Sequence, residues 1–201
     1  MWNRIVEAPE SAWNDEIGLV KQGDEAAARR LVEGLYPHVI RILRSHLPNR
    51  SDEEDAAQEV FMKMFAKIEQ WRGDQGFDHW VARIAVNHCR DRLRQHRARH
   101  VITYSDLGVE EAAFVSHLQA QHGDAAAPER PEATLAVLDK LLATLNEREQ
   151  TVIRLLDLDQ RPVREIAALT GWGESKIKVT AMRARRKLAA RLEKLERTPP
   201  P

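Results

Sequence analysis

Pro162-Val163-Arg164-Glu165-Ile166-Ala167-Ala168-Leu169 reads as a short amphipathic helix, and Thr170-Gly171-Trp172-Gly173 as a turn. A long helix follows from near Glu174 to Leu192, carrying Lys176, Lys178, Arg183, Arg185, Arg186 and Lys187. Two helices joined by a turn of about three or four residues containing glycine form a helix-turn-helix, whose second helix enters the DNA major groove. Ile166, Ala167 and Leu169 are expected to pack against Ile177 and Ala181 across the turn. Gly171 supplies the left-handed backbone the turn requires. Ser175, Lys176, Lys178, Val179 and Met182 then project from the second helix, some of them toward base edges. Arg183, Arg185, Arg186 and Lys187 are placed for phosphates, which supply most of the sequence-independent affinity.

Upstream of this motif the helical pattern continues. Leu135, Leu138, Leu141 and Leu142, then Leu145, recur at three- and four-residue spacing from about Ala133. Asn146-Glu147-Arg148-Glu149 is a cap-like box, and Val152, Ile153, Leu155 and Leu156 continue the apolar face. Residues 103–131 lose the periodicity. Gly108, Gly123, Pro128 and Pro131 mark a linker, with a transient helix near 110–118. Its charge is acidic: Asp106, Glu110, Glu111, Asp124, Glu129 and Glu132 stand against Arg130 alone.

The first half is also helical. Helices are expected over about 14–21, from the Asp24 cap to about Leu47, from a Ser51/Glu54 capping box to about Gln70, and over about 78–99. Leu31, Leu35, Val39, Ile42 and Leu43 form the second helix's apolar face, and Pro37 should bend it. Val60, Phe61, Met64, Phe65 and Ile68 form the third; Trp80, Val81, Ile84, Ala85 and Leu93 point inward from the fourth. The chain reads as all-α: two small helical domains joined by a flexible linker, residues 1–100 and 133–196, with 101–132 between them and 197–201 as a frayed tail. A composition rich in Ala, Leu, Arg and Glu and poor in aromatics supports helices over sheets.

The 201 residues balance to a net charge of zero, so the basic C-terminal part is offset by the acidic linker. The one cysteine, Cys89, excludes an internal disulfide framework and is expected to be a small buried hydrophobe. No apolar run nears the ~18 residues of a membrane span, and Met1-Trp2-Asn3-Arg4 opens no signal peptide. A cytoplasmic protein without membrane insertion is expected.

Three further clusters could carry chemistry. Arg83, Arg90, Arg92, Arg94, Arg97 and Arg99 make the fourth helix basic, beside Trp71, Phe77, His79 and Trp80. Rings beside a basic surface suit single-stranded DNA, because bases stack on them while the backbone follows the charge; Phe77 and Trp80 equally suit a helical core. Asp52-Glu53-Glu54-Asp55 with Glu59 is either a docking face or a solvated helix start favoured by the helix dipole. His79, His88, Cys89, His96 and His100 invite a zinc reading, with His96 and His100 four apart and able to share a face, but no C-x-x-C or H-E-x-x-H pattern accompanies them. No catalytic residue, metal ligand or cofactor site is assigned.

Two segments together resemble a known family. Asp52-Glu53-Glu54-Asp55-Ala56-Ala57-Gln58-Glu59-Val60-Phe61-Met62-Lys63-Met64-Phe65 resembles the second conserved region of bacterial sigma factors. The stretch from Trp71 to Arg99, with Ile84-Ala85, Asn87 and Asp91-Arg92-Leu93-Arg94, looks like its promoter-melting part. Leu145-Asn146-Glu147-Arg148-Glu149, Glu165-Ile166-Ala167 and Arg183-Ala184-Arg185-Arg186-Lys187-Leu188 resemble the fourth region, with no third domain between. That is the layout of the extracytoplasmic-function class. The resemblance implies a non-enzymatic promoter-specificity factor for core RNA polymerase, acting on a restricted, stress-related promoter set. It implies polymerase docking through Asp55, Gln58 and Glu59. It implies capture of the unstacked minus-10 strand by Arg72, Phe77, Trp80, Arg83, Asn87, Arg90 and Arg94. Duplex minus-35 DNA falls to Ser175, Lys176, Lys178, Val179, Met182, Arg183, Arg185 and Arg186. An anti-sigma partner is implied as well.

Gly173-Glu174-Ser175-Lys176 departs from the family's proline-x-glycine-threonine entry to the reading helix. Thr180, Ala181 and Met182 stand where arginine, leucine and histidine are common. A stand-alone helix-turn-helix regulator is the competing reading, and the Asp55-Gln58-Glu59 cluster argues against it, since such a regulator needs no acidic docking helix. A helical metalloenzyme built on Asp55, Glu59 and the histidines is the third.

Overall fold

The computed structural model describes residues 12–47, 52–73, 75–99 and 131–196. Among them are eight α-helices and no strand. Contacts divide the chain into two compact units, one built from the first half and the other from most of the second. The expected linker, its transient helix, the Ser51 cap, His100 and the C-terminal tail lie outside the described residues. No helix described is long and apolar enough to cross a membrane.

The first half begins with α1 (Ala12–Lys21) and α2 (Glu25–His46). Asp24 caps α2 as expected, its Oδ1 accepting the Ala27 amide at 3.0 Å. Leu31, Leu35, Val39, Ile42 and Leu43 are all buried, so the 3.6-residue period identified the core face. The helix continues past Pro37, which is exposed; losing one backbone donor on the solvent side does not end it. Where α1 meets α2, Glu16 takes both Nε and Nη2 of Arg30 at 2.9 Å. Gly34 lies against Trp13: an added Cβ would clash with Cη2 of its ring.

Helix α3 (Glu53–Lys67) tightens into a 3₁₀ turn over Ile68–Gln70. Its N-cap is Asp52, whose side chain makes no capping bond. Ala56, Ala57, Val60, Phe61 and Met64 face inward. Glu53 is also buried, and Arg44 Nε donates to its Oε2 at 2.9 Å. Helix α4 (Phe77–Arg99) buries Phe77, Val81, Ala82, Ala85, Val86, His88, Cys89 and Leu93. Trp80 and Ile84, expected inside, are only half-buried.

The second half starts with α5 (Pro131–Ala143) and α6 (Glu147–Ile153). The Asn146 box is complete: Glu149 N donates to Asn146 Oδ1 at 2.9 Å, and Asn146 N donates to Glu149 Oε2 at 3.0 Å. The helix then widens into a π turn over Arg154–Leu158, where the Asp159 amide reaches back to the Arg154 carbonyl at 2.8 Å. Sequence periodicity carried no sign of that turn. Gln160 leaves it with a φ of 52°. Helix α7 (Val163–Thr170), the turn at 171–173 and α8 (Glu174–Glu196) complete the helix-turn-helix. Gly171 takes the left-handed conformation, φ 71°. Ile166, Leu169, Ile177, Ala181 and Ala184 are buried, whereas Ala167 is half-buried. Leu142, Leu145, Ile153 and Ala184 form the centre of this core.

Candidate nucleic-acid interface

Helix α8 presents a single basic face. Its buried positions, Ile177, Ala181 and Ala184, follow the three- and four-residue period, so the side opposite them is left to solvent. Ser175, Lys176, Lys178, Val179, Met182, Arg183, Arg185 and Arg186 are every one exposed. Val179 and Met182 are 43% and 52% exposed, which is unusual for apolar side chains amid cations. Lys176 Nζ lies 5.8 Å from the Trp172 ring, a cation–π distance that draws it toward the turn. Glu174 sits 3.9 Å from Lys178.

Arg185 and Lys187 of this helix pair with carboxylates of the preceding elements. Arg185 binds Asp157, its Nε donating to Oδ2 at 3.1 Å, and this hydrogen bond raises its affinity for the proton above the ordinary guanidinium value. Lys187 donates to Glu149 Oε1 at 2.6 Å, bolting α8 to the cap of α6. The sequence reading gave both to phosphate. The structure gives each a carboxylate from another element, and a phosphate would have to share Arg185 with Asp157.

In the first half, Arg83, Asn87, Arg90 and Arg94 recur at helical spacing and form one stripe along α4. Arg83 and Arg94 are exposed; Asn87 and Arg90 are half-buried. Arg72 is exposed in the loop before the helix. Phe77 is different. At 2% exposure it is a core residue, edge-on to Trp71 at 5.3 Å and stacked on Trp80 at 5.4 Å. It cannot offer a ring face to a base as it stands; its role here is to hold Trp71 and Trp80. Trp71 in turn donates from Nε1 to the Gln75 carbonyl at 3.2 Å, closing the loop on the start of α4. Of the expected stacking pair, only the half-buried Trp80 keeps accessible ring surface.

Asp55, Gln58 and Glu59 lie together on the outer face of α3, all exposed. Met62 joins them one turn on and is 64% exposed. The sequence reading missed Met62. The signal was present, because positions 55, 58, 59 and 62 follow the i, i+3, i+4, i+7 rule that also placed the core on the opposite side. Among the described residues no group of three or more His, Cys, Asp or Glu side chains could hold a metal ion.

Residues 31–99 match the Sigma-70 region 2 family, and residues 135–188 match the Sigma-70 region 4 family. The first match spans the α3 and α4 faces just described, and the second the α8 face. The chain belongs to the extracytoplasmic-function sigma factors. Its curated relatives include the ECF RNA polymerase sigma factor SigW of Bacillus subtilis, 26% identical over 88% of this chain and 94% of that one. The ECF RNA polymerase sigma-E factor of Escherichia coli K12 is 28% identical over 89% of this chain and 93% of its own length. Among solved structures, CnrH in complex with the cytosolic domain of CnrY covers 89% of this chain and 96% of its own, at 23% identity and a TM-score of 0.54. The sigma factor RpoE bound to the anti-sigma factor NepR, from Bartonella quintana, covers 84% and 98%, at 20% identity and a TM-score of 0.52. Those two likenesses concern the fold. This sigma factor therefore spans nearly the full length of its relatives with both conserved regions in place.

Proposed function

We propose that this sigma factor docks on core RNA polymerase through Asp55, Gln58, Glu59 and Met62 and selects promoters with two separate DNA surfaces. The observation that carries the reading is the coexistence, on one chain, of an acidic exposed stripe on α3 and a basic exposed stripe on α8. A DNA regulator acting alone has no use for the first. The α8 face, with Ser175, Lys176, Lys178, Val179, Met182 and Arg183, enters the major groove of the minus-35 duplex. Arg186 and, after release from Asp157, Arg185 meet phosphates.

Arg72, Trp80, Arg83, Asn87, Arg90 and Arg94 then hold the opened minus-10 strand. Unpairing a base costs a few kcal/mol, and stacking on Trp80 with phosphate contact along α4 offsets it. Each surface is small. Tethering both to the enzyme raises the effective concentration of the second contact once the first is made. The chain supplies no reaction of its own and works in the cytoplasm beside the enzyme that makes RNA. The complex of the Bartonella quintana sigma factor with an anti-sigma factor supports control by such a protein.

Run-off transcription with core polymerase on genomic promoters tests this. Lys178→Ala should weaken duplex recognition, and Arg90→Ala should slow opening while leaving closed-complex binding intact. Parental transcription by both variants would refute the residue assignments. No association with core polymerase would refute the function.

A further inference from the structure

A buried histidine lies directly beneath the acidic stripe of α3. His88, on α4, is 3% exposed. Its Nδ1 is 2.7 Å from Lys63 Nζ and 3.7 Å from Glu59 Oε2, while Lys63 Nζ is 4.0 Å from the same Glu59 oxygen. Lysine offers only donors, so the ring nitrogen facing it is the acceptor and carries no proton. Lys63 and Glu59 are both about half exposed. A surface pair at i, i+4 on its own holds neither long side chain in one rotamer, because the attraction is weak in water and ordering both chains opposes it. The imidazole changes that balance. Its rigid, buried acceptor fixes the ammonium, and the fixed ammonium gives Glu59 one preferred direction.

We infer that His88 is a positioning residue for the polymerase-docking face: through Lys63 it holds the Glu59 carboxylate in the orientation that docking requires. The inference rests on the docking role proposed above for Glu59. It also joins the two faces of the first half, since His88 follows Asn87 on the helix that carries the Arg83–Arg94 stripe.

The test is the affinity of the full-length chain for purified core polymerase, measured by titration. His88→Leu removes the acceptor and should weaken binding about five- to tenfold, within the range of coupled neighbours. His88→Asn, whose amide oxygen can stand in for Nδ1, should recover binding to within about twofold of the parent. Lys63→Met, at a partly exposed position outside the core, should reproduce the His88→Leu loss, and the double variant should bind no worse than either single one. In a Glu59→Gln background His88→Leu should cost nothing further. An equal loss in both backgrounds, or failure of Asn to rescue, would overturn the inference by making His88 a packing residue only. Unchanged binding in His88→Leu and Lys63→Met would overturn it too. A parent chain with no affinity for core polymerase would instead sink the docking role itself.

Discussion

Glu149 is the residue on which the C-terminal unit should depend most visibly. It is buried, closes the capping box on the Asn146 amide, and receives Lys187 from α8. Glu149→Ala removes one side of the box, a change worth about 1 kcal/mol for a helix cap. It also removes a charge-assisted bond. Such bonds reach roughly 1.5–3 kcal/mol, but Lys187 is half exposed, so a contribution near 1 kcal/mol is expected after screening. Alanine's better helix propensity returns a few tenths of a kcal/mol. The net expectation is a loss of about 1.5–2 kcal/mol. For a unit of this size that lowers its melting temperature by roughly 6–15 °C.

The assay is urea denaturation followed by circular dichroism, with amide hydrogen exchange localising the change. Protection should fall in the first turn of α6 and in the middle of α8, not in α2 or α3. Glu149→Gln keeps an acceptor for the Asn146 amide and loses the charge, so it should fall between the parent and alanine. Asn146→Ala should cost about 1 kcal/mol and be less than additive with Glu149→Ala, since both edit one box. If Glu149→Ala stays within about 0.5 kcal/mol of the parent, the range of an unremarkable surface change, the reasoning fails.

Three further outcomes follow from the geometry. Arg186→Ala should weaken minus-35 duplex binding by the holoenzyme and lower the salt slope by about 1; an unchanged slope would remove it from the phosphate contacts. Met182→Ala should leave that slope alone but lose preference for thymine-containing minus-35 duplexes by about 1 kcal/mol, a loss that replacing thymine by uracil in the parent's preferred duplex should mimic. Gly34→Ala should destabilise the α1–α2 pair by about 1 kcal/mol, because the strain of displacing Trp13 exceeds alanine's helix advantage; in a Trp13→Leu background the same substitution should stabilise, and thermal melts of the four chains decide it.

What the sequence determined by itself is what local chemistry controls. Apolar period placed the cores of α2 and α8 and, apart from the half-buried Phe65, of α3, and by subtraction their exposed faces. Asp24 and the Asn146/Glu149 box marked where helices begin, since each cap acts within one turn. Gly171 marked the left-handed turn because few other residues adopt it without strain. The family resemblance followed from those same segments and was upheld on both regions.

Tertiary structure alone decided questions whose answer depends on a distant partner. A ring beside arginines reads alike whether it is core or contact, and only packing against Trp71 and Trp80 made Phe77 core. Arg185 and Lys187 read as free cations until folding brought Asp157 and Glu149 to them across 28 and 38 residues. The π turn that holds Arg185's partner, Asp157, left no periodic trace. His88 was one of several histidines on a basic helix until the crossing of α3 and α4 set it under Lys63. Periodicity reports which way a side chain points from its own helix. What stands there to meet it is fixed only when the helices pack.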